Sequence, residues 1–238
     1  MGASPIGSTV LRCTARVSGT VPRSTNTAQD PVHKGGGVTT SPTPPLVADR
    51  LLDGLATAIG ERGYRDTTVA DIVRHARTSK RTFYEQFSGK DECLVELLRR
   101  NNADLIAAIT GAVDADVDWR TQIRQAVEAY VGHIEARPAI TLTWIREAPA
   151  LGAAAAPLHR HAMTHLTEML LTLSANPGFT RAGLAPVSAP MAVILLGGLR
   201  ELTALFVEDG RDVRELVEPA TAAATAMLGQ HSAQHQPG

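Results

Sequence analysis

From Pro45 onward, apolar residues return every three or four positions, and strand-like two-residue alternation does not recur. That periodicity constrains the fold more than any other feature of the chain. Val47, Leu51, Leu52, Leu55 and Ile59 form a first stripe, which stops where Gly60 and Gly63 interrupt it. Thr68 followed by Asp71 is a capping-box pair, opening a short helix that carries Val69, Ile72 and Val73. A break at Ala76-Arg77-Thr78 precedes a second short piece from Ser79 to near Tyr84. Ser88 with Asp91 reads as another box, heading a longer helix with Leu94, Leu97, Leu98, Leu105 and Ile109.

The pattern restarts after 114–118 with Ile123, Val127, Tyr130, Val131 and Ile134 on one helix face. Pro138 begins a shorter helix holding Trp144, and Gly152 to Leu173 reads as a further helix ended by Pro177 and Gly178. Residues 188–208 are apolar on most sides, and Val213, Leu216, Val217, Ala220, Ala224, Met227 and Leu228 make a last stripe. The expected fold is all-α, with about nine helices. Scarce aromatics (4%) and abundant Ala and Leu agree, since small and unbranched side chains lose little freedom in a helix.

Residues 1–44 are rich in Ser, Thr, Pro and Gly and cannot bury enough apolar surface to offset chain entropy, so a disordered tail is expected there. Its dispersed Arg12, Arg16, Arg23 and Lys34 suit either a DNA-touching arm or a solvated extension. A second flexible tail is expected at 230–238. Cys13 and Cys93 read as incidental thiols of a reducing compartment. No uninterrupted apolar run approaches a membrane span, and the N-terminus lacks the apolar core of a secretory signal, so a cytoplasmic protein is expected.

Net charge is −1, so polyanion binding would need a local basic excess. One exists. Between 72 and 84 stand Arg74, His75, Arg77, Lys80 and Arg81, with no carboxylate among them. Two short helices with a tight turn between them make a helix-turn-helix over 67–88, and Ser79, Lys80, Arg81 and Thr82 open its second helix, where backbone N–H groups also favour phosphate. Lys and Arg supply phosphate or guanine contacts; Ser and Thr can meet base edges.

The string Thr82-Phe83-Tyr84-Glu85-Gln86-Phe87-Ser88-Gly89-Lys90 resembles the TetR family signature, and Gly63 to Ile72 resembles that family's passage from its first helix into its second. The resemblance is detailed over 47–98 and extends to 229 only as a helical layout. It implies an N-terminal three-helix DNA-binding domain (45–92) and a C-terminal helical ligand-binding and dimerisation domain (93–229). It also implies that Thr68, Tyr84 and Lys90 meet phosphate, and that Ser79, Lys80, Arg81 and Thr82 face the major groove. Arg77 and Thr78, in the turn, complete the expected DNA-binding set. Phe83 and Phe87 read as core. Arg77 departs from the pattern, because the family commonly places Gly there to relieve positive-φ strain.

For the C-terminal half the resemblance implies a pocket among the middle helices, where Tyr130, His133, Trp144, Arg146, Glu147, Met163, His165 and Met169 fall. It also implies a homodimer. Leu195, Leu199, Leu202 and Phe206, with Val217, Ala220 and Ala224, are the candidate interface, and Gly197-Gly198 would allow close helix approach. The pocket residues could instead be ordinary core or surface, and the alternative for the interface is a buried central helix within one monomer. The leading functional expectation is a repressor bound as a dimer to a pseudo-palindromic DNA operator and released by a small-molecule effector. A constitutive DNA-organising factor is the alternative. An enzyme would need His159, His161 and His165 as a metal site, but neither HExxH nor a cysteine pair accompanies them. No catalytic residue, metal or cofactor is expected.

Overall fold

The computed structural model describes residues 46–231; the expected N-terminal tail with Cys13, and residues 232–238, lie outside the described residues. Those described fold into helices alone. They are α1 (Val47–Asp66), α2 (Val69–His75), α3 (Lys80–Gln86), α4 (Lys90–Ala112), α5 (Trp119–Ala136), α6 (Pro138–Leu142), α7 (Ala156–Leu173), α8 (Pro177–Arg181), α9 (Ala189–Glu208) and α10 (Val217–His231). A π-helical turn (Thr143–Glu147) and a 3-10 segment (Ala148–Ala154) join α6 to α7, and a 3-10 turn (Val213–Leu216) leads into α10.

Several boundaries differ from expectation for local reasons. Gly60 lies inside α1, whereas Gly63 takes φ 78 and bends the chain before Tyr64. Gly152 takes φ 55, so α7 starts only at Ala156, with Pro157 in its first turn where no N–H is needed. Pro177 starts a helix as well as ending one: it opens the five-residue α8, which sequence periodicity is too short to reveal. The Ser88–Asp91 box does not form. Gly89 is the N-cap of α4, Ser88 instead donates to Glu92 from its N–H (2.7 Å) and hydroxyl (2.6 Å), and the Asp91 carboxylate accepts from the Tyr64 hydroxyl.

Two apolar cores result. The first gathers Leu51, Leu52, Leu55 and Ile59 of α1, Ile72 and Val73 of α2, Phe83 and Phe87 around α3, and Leu94, Leu97 and Leu98 of α4; Ile140, Ala148 and Leu158 enter it from the other half of the chain. Gly54 lets α1 and α2 approach, since a Cβ there would lie 2.6 Å from the Ile72 carbonyl oxygen. The second core joins α5 to α8, α9 and α10 through Ile123, Val127, Val131, Phe179, Phe206, Ala220 and Ala224, with Leu216 of the preceding turn. Buried Gln122 ties it to the preceding loop: its amide donates to the carbonyls of Ala115 (3.1 Å) and Val117 (2.9 Å), and its oxygen accepts from Asn176 (2.9 Å).

α4 belongs to both halves. Its first turns sit in the first core, and Asn101, Leu105 and Ile109 further along line a cavity against α5. α9 is long and apolar enough to cross a bilayer by length and composition, which the sequence reading did not anticipate; Arg200 and Glu201 stand in it, and it packs along α7 and α6.

Candidate nucleic-acid interface and internal cavity

The turn between α2 and α3 is a Schellman motif. The Arg77 N–H donates to the Arg74 carbonyl (3.2 Å) and the Thr78 N–H reaches back to the Val73 carbonyl (3.0 Å). That geometry requires the residue after the C-cap to be left-handed, and Arg77 takes φ 50, the one positive-φ residue other than glycine among the described residues. Arg77 thus holds the left-handed position that glycine would take without strain. Arg50 of α1 braces it, donating through Nη2 to the carbonyls of Ala76 (2.6 Å) and Arg77 (2.8 Å).

α3 begins at a capped end. The Ser79 hydroxyl accepts from the Thr82 N–H (3.1 Å) and lies 2.9 Å from the Thr82 hydroxyl. Phe83 is fully buried and anchors the helix, so Lys80, Arg81 and Tyr84 are carried outward. The Tyr84 ring stands edge-on to Phe83 with centroids 5.3 Å apart, and 58% of the residue is exposed. Arg81 pairs only with Glu85 one turn on (3.0 Å), a contact weak enough in water to yield to a phosphate. Arg77 and Lys80 make no ion pair among the described residues. These cations and the Tyr84 phenol are all exposed, within eight residues of chain.

Thr68 and Lys90 are held differently. Thr68 donates its N–H (3.0 Å) and hydroxyl (2.7 Å) to the Asp71 carboxylate and accepts from the Asp71 N–H (3.3 Å), completing the expected box. Hydrogen bonds from Thr68, first its hydroxyl and then its N–H, pull the Asp71 pKa down to about 2. The Lys90 ammonium donates to the carbonyls of Tyr64 (2.9 Å), Arg65 (3.3 Å) and Thr67 (2.9 Å), over the Tyr64 ring. With its donors taken up there, Lys90 fastens α4 to the end of α1 in the DNA-free protein.

A cavity of about 560 Å³ lies among α4, α5, α7, α9 and α10. Tyr130, His133, Trp144, Met163 and Met169 line it; Arg146, Glu147 and His165 do not. Arg146 is drawn to Glu208 (2.6 Å) and Glu201 (2.9 Å), Glu147 pairs with Arg65 (2.9 Å), and His165 is exposed with its ring against His161. The three histidines do not converge, because His159 stacks near Trp144 instead. Burial holds the His133 pKa below its ordinary value, and its Nε2 lies 3.2 Å from the Asn101 side-chain oxygen.

The expected interface residues turn toward the chain's own interior. Phe206, Ala220 and Ala224 are buried in the second core, and Leu195, Leu199, Leu202 and Val217 pack against it. Because α9 is apolar all round, periodicity does not separate its inner from its outer face. The outer one carries Val193, Gly197 and Leu205, while exposed Ile194 also lines the cavity.

The family model for bacterial regulatory proteins of the tetR family matches residues 51–97, the stretch that holds this helix-turn-helix. Residues 51–97 thus carry the DNA-binding module of the tetR family. Over this region it is similar to the HTH-type transcriptional activator FasR of Mycolicibacterium smegmatis, 31% identical over 86 residues, covering 36% of this chain and 39% of that one. The HTH-type transcriptional regulator EthR of Mycobacterium tuberculosis is 36% identical over 94 residues, covering 36% and 44%. The chain thus matches well under half the length of these relatives. The TetR fold itself extends further. The fatty acid degradation regulator FadR from Bacillus halodurans superposes with a TM-score of 0.63 at 18% identity over 78% of this chain and 96% of that one. FadR from Bacillus subtilis in complex with stearoyl-CoA does so at 0.59, 14% identity, over 76% and 97%.

Arg50 at the turn and Arg200 on the cavity wall are two residues that local sequence pattern does not reveal. Arg50 looks like any surface arginine until α1 is laid beside the turn. Arg200 looks like a charge interrupting an apolar helix until it is found on the cavity wall.

Proposed function

We propose that the chain is a dimeric repressor that leaves its operator when a small molecule fills the cavity. The observation that carries this reading is α4: one helix of 23 residues, about 34 Å long, is packed into the DNA-binding core at its start and lines the cavity beyond Asn101. A ligand that prefers one position of α4 shifts the helix-turn-helix with it, by as much as its affinity differs between the two positions. Arg77, Lys80, Arg81 and Tyr84 are the contacts to DNA on this reading, with Thr78, Ser79 and Thr82 beside them. Thr68 contributes by ordering α2, and Lys90 by holding α4 to α1. A second copy docks on the outer face of α9, through Val193, Gly197 and Leu205, supplying the second recognition helix that a two-fold site requires.

Footprinting on the bound promoter tests this: protection of a two-fold site is expected, with binding that weakens steeply as salt rises. Lys80→Ala and Tyr84→Phe each lower affinity, Lys80→Ala also reducing the salt slope by about 1. Protection lacking two-fold symmetry, or affinity indifferent to both replacements, overturns the reading. Operator binding unaffected by a broad small-molecule panel would favour a constitutive DNA-binding factor instead.

A further inference from the structure

Arg200 is the one charged side chain on the cavity wall, and it is half-buried. It stands in α9 at the junction of the 560 Å³ cavity with a smaller one of about 250 Å³, lining both. Its Nη2 donates to the Ile145 carbonyl (3.0 Å), but its Nε is buried with no hydrogen-bond partner. No carboxylate among the described residues pairs with it. The neighbouring Glu201 is turned to Arg146 (2.9 Å), which also holds Glu208 (2.6 Å). Tyr130 does not serve either: Thr203 donates its hydroxyl proton to the Leu199 carbonyl (2.8 Å), so the Tyr130 hydroxyl is the donor in its 2.8 Å contact with Thr203.

A guanidinium lodged beside apolar walls without a counter-charge is costly in the empty protein, and a buried donor left unpaired adds to that cost. Burial accordingly lowers the Arg200 pKa from its ordinary value. An anion arriving in the cavity supplies the missing counter-charge. Only one cation lines the cavity, and a guanidinium pairs well with a single carboxylate in charge and planar shape. A phosphate ester would bring more negative charge than the wall can balance. The remainder of the lining, including Leu105, Ile109, Met163 and Leu170, is apolar and calls for an apolar body.

We propose that the cavity takes an amphipathic monocarboxylic acid, its carboxylate on Arg200 and its apolar portion among the side chains of α4, α5 and α7. The proposal rests on the effector reading above. The test is calorimetric titration of the full chain, without DNA, with dodecanoic acid, dodecan-1-ol, methyl dodecanoate and dodecanoyl-CoA. The acid is expected to bind ten- to a hundredfold more tightly than the alcohol or the ester, the gain of a charge-assisted hydrogen bond in a partly buried site. Arg200→Gln is expected to bring acid and alcohol within about twofold while leaving the alcohol unchanged. An acid no tighter than the alcohol, a CoA thioester tighter than the acid, or a preference that survives in Arg200→Gln overturns the proposal. The comparison of acid with alcohol in the unaltered protein decides the matter even if the variant does not fold. Binding by none of the four also overturns it, whereas the effector reading falls only if operator binding ignores a wider panel as well.

Discussion

Replacing Arg77 by Gly separates backbone conformation from charge at the centre of the helix-turn-helix. In a Schellman turn the left-handed residue is strained unless it is glycine, and Arg77 sits there at φ 50. A non-glycine residue in that region costs about 1–2 kcal/mol. Glycine recovers this but loses about 0.4–1 kcal/mol through the extra freedom of its unfolded chain. The difference predicts that Arg77→Gly stabilises the protein by roughly 0.5–1 kcal/mol, or about 1–4 °C in Tm for a chain of this size. Arg77→Ala removes the same guanidinium and keeps the strain, so its stability should stay within about 0.5 kcal/mol of the parent. DNA affinity sorts the variants the other way: both lose the same cation, and both should show a salt slope lower by about 1 if Arg77 meets a phosphate. Thermal denaturation of the DNA-free protein and operator titrations across salt concentrations read the two effects separately. If Arg77→Gly proves no more stable than Arg77→Ala, the strain argument for the turn is refuted.

Gly54→Ala should destabilise by about 1–3 kcal/mol in chemical denaturation, because its methyl meets the Ile72 backbone oxygen and not a flexible side chain. Thr68→Ala should cost about 1 kcal/mol through loss of the α2 cap, seen as a lower denaturation midpoint. The Asp71 pKa is depressed to about 2, so its contribution is fully present above pH 3.8 and fades as pH falls toward 2; Asp71→Asn should flatten the stability profile across that interval. Lys90→Met should lower stability by about 1–2 kcal/mol with little change in the salt dependence of DNA binding, whereas a fall in salt slope would return Lys90 to the phosphate contacts. Burial pushes the Cys93 thiol up to about 12, so mass spectrometry after brief maleimide treatment of the folded protein should find Cys93 unmodified.

What the sequence revealed follows the range over which each interaction acts. The Thr68–Asp71 box and the burial of Phe83 are settled within a few residues and were readable from spacing, and the irregularity at Arg77 from the family resemblance. Arg146 and Glu147 looked like pocket polar groups because nothing local shows that Glu201 and Glu208, or Arg65, would claim them from distant helices. The Ser88 pairing shifted by one residue because Asp91 had a partner in Tyr64, on another helix. α8 escaped notice because five residues are too few to display a period. The inner and outer faces of α9 were indistinguishable for the opposite reason: apolar residues fill both, and only packing against α5 and α7 chooses between them.

The entry of Ile140, Ala148 and Leu158 into the core built around α1–α4 bears on how this architecture diversifies. A DNA-reading head that could be exchanged freely would have its own closed interior. Here the interior is shared, and the Arg65–Glu147 pair crosses the same seam. A chimera that takes residues 46–89 from a relative would set foreign side chains against Ile140, Ala148 and Leu158, leaving voids or clashes where the two parts meet. New operator specificity is therefore more readily reached by changing the outward side chains of α3 than by grafting the head. A working graft would need compensating changes at those three positions, far along the chain from the DNA it reads.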